Sequence, residues 1–292
     1  MGRANPIFFV WGNMESKLKS YSGLPVMAVA SAATLIAALA VWKSHGLASA
    51  LFGAVTALDY RVILFLNRFA HRSWTLDTFV YVVDSNPFAT APLLMAVWWG
   101  WFKDRDLVVQ RRAREILVHG ILGTYLVLVL TRMVAFVLPY RARPLHNPGL
   151  SFVLPYSSDP RLLLGWSSMP SDHAILWFAL AMAVFYLSRR VGIFLFVYVS
   201  LTLCLARIYL GIHYPSDIVV GGLIGAGMAA LSQVDLVRKT LAEQPLRWLE
   251  RAPGLFYAGM FIVTCPMLSG FGSVQDLQSF VHASLKAVLQ RL

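Results

Sequence analysis

Seven apolar runs, at roughly 24–42, 86–102, 116–138, 171–188, 191–208, 216–234 and 254–270, alternate with short polar segments along the chain. Runs of this length with almost no charge read as helices that cross a bilayer. Several uncharged cores are only 15–17 residues long. At about 1.5 Å per residue they fall short of the roughly 30 Å hydrocarbon layer, so these helices must continue into partly polar ends. Trp98, Trp99 and Trp101 close the second run as an interfacial aromatic belt. Pro266 interrupts the seventh, making it the weakest span. Between the first two runs, Asp59–Ala70 sets apolar residues on a helical period with Arg61, Asn67 and Arg68 between them. That pattern predicts a helix lying in the membrane interface.

Composition agrees with the pattern. Of 292 residues, 58% are hydrophobic and only 13% charged, with mean hydropathy +0.64, which excludes a soluble globule and a disordered chain. The net charge of +11 is scattered between apolar runs, so it reads as membrane orientation and no nucleic-acid partner is expected. Fourteen of the 25 Lys and Arg residues fall in segments 1–23, 103–114, 189–190 and 235–253. The positive-inside rule places these in the cytoplasm and turns 43–85, 132–170 and 209–215 outward. The first run follows a long leader and is expected to be a retained anchor rather than a cleaved signal. Cys204 and Cys265 each sit in an apolar run and read as small buried hydrophobes.

Three outward-facing patches break the apolar pattern: Arg132–Pro144, Ser168–His173 and Arg207–Asp217. Ionisable groups at span ends are expensive, and several converging on one face mark a functional site. Arg143, Arg207 and Arg141 offer planar forks for phosphate oxygens. Ser171, just after Pro170 at a predicted helix start, adds a hydroxyl and the anion seat of a helix N-terminus. His213 and Asp217 are four apart, so the carboxylate can hold one ring nitrogen and leave the other nucleophilic. His173 remains to protonate a leaving oxygen. Nucleophile, orienting carboxylate, acid and anion clamp make a phosphoryl-transfer site. No carboxylate cluster suits a divalent ion, so neither metal nor cofactor is expected.

These patches resemble the signature of the type 2 phosphatidic acid phosphatase family of membrane lipid phosphatases, which shares a core with vanadium haloperoxidases. The family pattern is a Lys, six residues, Arg-Pro; then Pro-Ser-Gly-His; then Ser-Arg, five residues, His, three residues, Asp. Arg207, His213 and Asp217 match the third part, with Ala206 in place of Ser. Pro170, Ser171 and His173 match the second, with Asp172 in place of Gly. That Asp variant looks like the one in some bacterial undecaprenyl diphosphate phosphatases. In the first part Arg143-Pro144 fits, but Phe136 stands where the family has Lys; Arg132 and Arg141 are the nearest substitutes. The resemblance implies that His213 attacks phosphorus to form a phosphohistidine. It assigns Asp217 to orient His213, and His173 to protonate the departing oxygen and then activate water. The clamp on the phosphoryl group would be Arg143, Ser171 and Arg207, with Arg132 or Arg141 replacing the Lys. Asp172 has two readings, a carboxylate capping the helix start or a group that orients His173 or repels a competitor.

The expected architecture is all-α: a polytopic membrane protein with a six-transmembrane-helix lipid phosphatase core and interfacial helices. Residues 1–54 would form the N-terminal segment and first anchor, 55–235 the core, and 236–292 an extension with a possible seventh span. The expected function is metal-independent hydrolysis of a lipid phosphate or diphosphate, with undecaprenyl diphosphate as best guess. The expected location is a bacterial inner membrane with the site facing outward, and the expected partners are the lipid substrate and membrane lipids. Phosphatidate, phosphatidylglycerol phosphate or lipid A phosphate as substrate, a lipid phosphotransferase and a non-enzymatic lipid transporter stay open. Elsewhere, His119 reads as an interhelical hydrogen-bonding residue, and Gly221, Gly225 and Ala229 as a close helix contact. Trp166 and Trp177 read as interface anchors, and His45, His71 and His146 as solvated loop residues.

Overall fold

The structure, a computed structural model, describes residues 47–135 and 139–268. The first apolar run, His45 and Phe136 lie outside the described residues. Among the described residues there is no strand. The helices are α1 (Leu47–Asn67), α2 (Trp74–Ser85), α3 (Ala91–Phe102), α4 (Leu107–Ala135), α5 (Asp172–Leu187), α6 (Arg189–Tyr209), α7 (Pro215–Ala230), α8 (Asp235–Arg251) and α9 (Pro253–Leu268). Of these, α4, α6 and α7 with its short extension to Gln233 are long and apolar enough to cross a membrane, at 29, 21 and 19 residues. The apolar helices α3, α5 and α9 are shorter, at 12, 16 and 16 residues.

Local chemistry sets several boundaries. Ser171 caps α5, its Oγ accepting from the Ala174 N–H, and Pro170 precedes it. Pro215 opens α7 at a position where its missing N–H costs nothing. Three elements differ from the sequence expectation. The interfacial helix predicted over 59–70 begins at Leu47 and ends at Asn67. Helix α2, not anticipated, is capped by Ser73. The polar segment 235–253, read as a loop, is helical because Arg238, Ala242 and Leu246, four apart, bury one face. That face packs on α4. Arg238 bonds Glu115 at 2.8 Å and Arg111 bonds Glu250 at 2.6 Å across the same seam.

Helix α5 is the hub, buried on nearly every face and packed by α3, α4, α6 and α7. Its closest neighbour is α7, as the small-residue spacing predicts. A Cβ on Gly225 would stand 2.0 Å from the Ile175 carbonyl oxygen, and one on Gly221 2.5 Å from that of Ser171. His119 of α4 bonds the Met228 carbonyl of α7 at 3.1 Å, an interhelical role as expected. Gly225→Val is expected to lower stability by about 1–3 kcal/mol through overpacking. Gly53→Ala, with nothing within 4 Å of the new methyl, should hold or raise it. Thermal unfolding of both variants in detergent checks the contrast.

Candidate active site

The three polar patches meet at one end of α5, α6 and α7, and backbone bonds lock them in register. The Ser168 N–H donates to the Arg141 carbonyl at 2.9 Å, tying the second patch to the first. The Leu145 N–H donates to the Gly211 carbonyl at 3.0 Å, tying the first to the third. The Ser171 N–H donates to the Asp217 carbonyl at 3.2 Å, tying the second to the third. Gly211 makes the reversal between α6 and His213 possible. Its φ is +70°, and a Cβ there would meet the Phe152 ring at 2.5 Å.

His213 is buried, and its Nδ1 lies 2.8 Å from the Ser168 carbonyl oxygen. A carbonyl can only accept, so Nδ1 carries the proton and Nε2 keeps a lone pair. Nε2 lies 3.5 Å from Arg143 Nη1. The sequence expectation gave one ring nitrogen of His213 to Asp217. Its Oδ2 lies 3.7 Å away, outside hydrogen-bond range, because Asp217 accepts instead from the Tyr214 N–H at 2.8 Å and from Arg141 at 2.5 Å. Asp217 thus acts on His213 through charge at short range, and the carbonyl of Ser168 holds the ring. Burial pushes the His213 pKa down to about 4; the charges of Arg143 and Arg207 add to that shift and Asp217 opposes it. His213 is therefore neutral at neutral pH.

Arg143 is buried and donates to three carbonyls: Ile212 at 2.8 Å, Ser167 at 3.1 Å and Trp166 at 3.2 Å. Burial, then the charges of Arg207 and Arg132, bring its pKa down to about 10. Three guanidiniums thus crowd one pocket. Arg207 places its Nε 3.0 Å from Asp84 Oδ1, and its buried Nη1 has no hydrogen-bond partner. Arg132 pairs with Asp172 and lies over the Trp166 ring at 5.3 Å. His173 borders the same group, within reach of the charges of Arg207, His213, Arg143 and Arg132. Its ring meets Trp177 edge-on at 5.2 Å, and Arg207 lies 5.6 Å from the same indole. Trp177 is buried there, so it is a packing wall between His173 and Arg207 and not an interface anchor. Ser171 is buried beside them, with its Oγ committed as acceptor to the α5 cap and its hydroxyl proton still able to donate.

Arg141, one of the two expected substitutes for the family Lys, is bound to neighbouring side chains. Its guanidinium is engaged by Asp59 at 2.6 Å, Asp217 at 2.5 Å and Ser216 at 2.9 Å, and lies 4.1 Å from the Tyr214 ring centre. Those partners commit its guanidinium to two carboxylates and a hydroxyl. Sequence reasoning missed Asp59, Asp84 and the Ser168 carbonyl. Asp59, Ile63 and Asn67 are four apart and all buried. An acid and an amide on the apolar stripe of α1 were therefore the available signal. Asp77 and Asp84, seven apart in α2, gave the same cue. Burial raises the Asp84 pKa, with Arg207 opposing. Of the other histidines, His71 stacks on Tyr156 at 3.9 Å and His146 meets the Pro160 carbonyl at 3.0 Å. Among the described residues no three His, Cys, Asp or Glu side chains group as a metal site.

Comparison with known proteins agrees with this geometry. Residues 119–240 match the family model of the PAP2 superfamily. The undecaprenyl-diphosphatase BcrC of Bacillus subtilis (strain 168) is 26% identical over 171 residues, 58% of this chain and 79% of the relative. The putative undecaprenyl-diphosphatase YbjG of Escherichia coli (strain K12) is 24% identical over 159 residues, 54% of this chain and 72% of the relative. A decaprenylphosphoryl-5-phosphoribose phosphatase of Mycobacterium tuberculosis is 32% identical over 125 residues, 43% of this chain and 63% of the relative. No solved structure gives a significant match. The apolar helices and these relatives make the chain a bacterial membrane protein. Residues 119–240, which carry every histidine and arginine of the pocket, are similar to the PAP2 superfamily, and with these relatives that similarity makes the chain a phosphatase of lipid phosphates.

Proposed function

We propose that this chain hydrolyses undecaprenyl diphosphate to the monophosphate and inorganic phosphate through a phosphohistidine at His213. One observation carries the reading. The unprotonated Nε2 of His213 stands 3.5 Å from a buried guanidinium, in a pocket with a second guanidinium whose Nη1 lacks a partner. A phosphoryl group seated on Arg143, Arg207 and Arg132 would have its phosphorus beside that lone pair. Ser171 and the first N–H groups of α5 would complete the seat. The Nε2 lone pair forms the N–P bond, and the P–O bond to the lipid monophosphate breaks. The electron pair leaves on that oxygen, which takes a proton from His173. Water then gives a proton to His173 and attacks phosphorus, and the N–P bond breaks to free inorganic phosphate. Asp172, ion-paired to Arg132, steadies the cation that replaces the family Lys.

The polyprenyl choice is supported by the Asp172 variant and by the names of the Bacillus and Escherichia relatives. The Mycobacterium relative favours a second reading, a monophosphate on a polyprenyl-linked sugar, handled by the same residues. Residues 55–235 would form the catalytic core, with the site on the outer side of the inner membrane, as the distribution of basic residues favours.

Phosphate release from undecaprenyl diphosphate in detergent with EDTA tests the reading. Wild type is expected to be active and His213→Ala to lose at least about a thousandfold. Release that survives the substitution removes the proposed nucleophile, and loss of wild-type release in EDTA removes metal independence. The pH profile follows from His213. The reactive form is neutral, and the folded pKa lies below the ordinary value of 6.5, so acid inhibits only near the lowered value. After correction for substrate ionisation, kcat/KM should hold through pH 6 and fall as pH drops towards about 4. An acid limb near 6.5 would contradict it. Arg141→Lys keeps a charge but cannot serve two carboxylates and Ser216 together. If Arg141 positions Asp217, kcat should fall about tenfold with little change in KM; a rise in KM alone would return Arg141 to the phosphate clamp.

A further inference from the structure

Helices α1, α2 and α6 enclose an apolar groove of about 310 Å³. Helix α2 turns Leu76, Phe79, Val80 and Val83 into it, the spacing of one helical face. Helix α6 supplies Leu201, Leu205 and Ala206 from the opposite wall. The two polar side chains that reach the groove have their oxygens satisfied elsewhere. Thr202 Oγ1 donates to the Tyr198 carbonyl, and the Tyr209 hydroxyl donates to Asp77. The groove therefore offers a ligand no polar partner, and its contents must be hydrocarbon.

Its position says which hydrocarbon. Val83 and Ala206 face the groove, and the next residue on each helix, Asp84 and Arg207, forms the ion pair at the edge of the phosphate pocket. Two adjoining residues on two facing helices thus divide into an apolar side and an ionic side. Residues Val199–Cys204 of α6 are π-helical. Such widened turns concentrate at functional sites, and the extra residue rotates everything after it by about 100°. Here the turn sets the angle at which Leu205 and Ala206 meet the groove while Arg207 enters the pocket. The outer rim is open to the surroundings, with Leu201 65% and Phe79 63% exposed, so a chain lying in the groove can run on into the bilayer.

We propose that this groove is the tail subsite of the enzyme, holding the isoprene units nearest the diphosphate of the same substrate whose phosphoryl group sits on Arg207. The inference rests on the polyprenyl diphosphatase reading above. An amphiphile anchored at its phosphate and bound along its first isoprene units is presented to His213 in one orientation. A substrate too short to enter the groove gains nothing from it.

The test fills the groove from either wall, with Phe79→Trp on α2 and Leu201→Trp on α6. Each variant is assayed on undecaprenyl diphosphate and on isopentenyl diphosphate, which is one isoprene unit long. Displacing about two buried methylenes' worth of contact corresponds to about a tenfold loss. The ratio of kcat/KM for the long substrate to that for the short one is expected to fall about tenfold in both variants. Activity on the short substrate should persist, which also reports an intact fold. A ratio unchanged in both variants would overturn the proposal and leave the groove to ordinary membrane acyl chains. Wild type inactive on both substrates would sink the diphosphatase reading first and the tail subsite with it.

Discussion

Three guanidinium groups, those of Arg132, Arg143 and Arg207, share one largely buried pocket, and the rest of the site is arranged around their repulsion. Like charges at this range inside protein cost several kcal/mol unless each has its own partner. Arg143 is held by the carbonyls of Trp166, Ser167 and Ile212, Arg132 by Asp172, and Arg207 by Asp84. Burial, and then the charges of Arg207 and Arg132, lower the pKa of Arg143. On the proposed reading, an incoming phosphate with two or more negative charges would offset their repulsion, so substrate binding and relief of repulsion would be one event. Burial, with the same positive field adding to it, keeps His213 neutral and therefore nucleophilic.

A second network lies behind the first. Asp59 of α1 accepts from Ser216 through backbone and side chain and from Arg141, which in turn holds Asp217. This fixes the start of α7 and the interfacial helix α1 as one unit beneath His213. Close packing of α5 on α7 at Gly221 and Gly225 sets the distance between the two histidine-bearing segments. Fold and chemistry are thus joined at a few positions where only a small residue or a paired charge fits.

Much of this arrangement was legible along the chain. The positions of α3 to α7 and α9 followed from hydropathy, because continuous apolar runs have few alternatives. The polar residues at the ends of these runs marked the three segments that the fold brings together. Other features were hidden for physical reasons. Helix α8 is polar on average, and its narrow buried face of Arg238, Ala242 and Leu246 is completed by ion pairs with α4 that the segment alone does not reveal. The Ser168 carbonyl that holds His213 is a backbone group, indistinguishable in sequence from any other. Arg141 and Arg143 are alike in type and two apart, yet one faces carboxylates and the other carbonyls beside His213. Only the tertiary fold separates them. Asp59 lies in the predicted interfacial helix and Asp84 in a segment with no predicted helix, and nothing local shows that they meet Arg141 and Arg207.

The central claim is covalent: the phosphoryl group passes through the Nε2 of His213. Rapid acid-free quenching of the purified enzyme during turnover of diphosphate-labelled lipid, followed by peptide mass analysis, addresses it directly. The account predicts a phosphoryl adduct on the peptide containing residue 213, labile in acid and stable in base, that accumulates when His173 is replaced by Asn. An unmodified residue 213 under conditions where label is being released, or an adduct on another side chain, would contradict it.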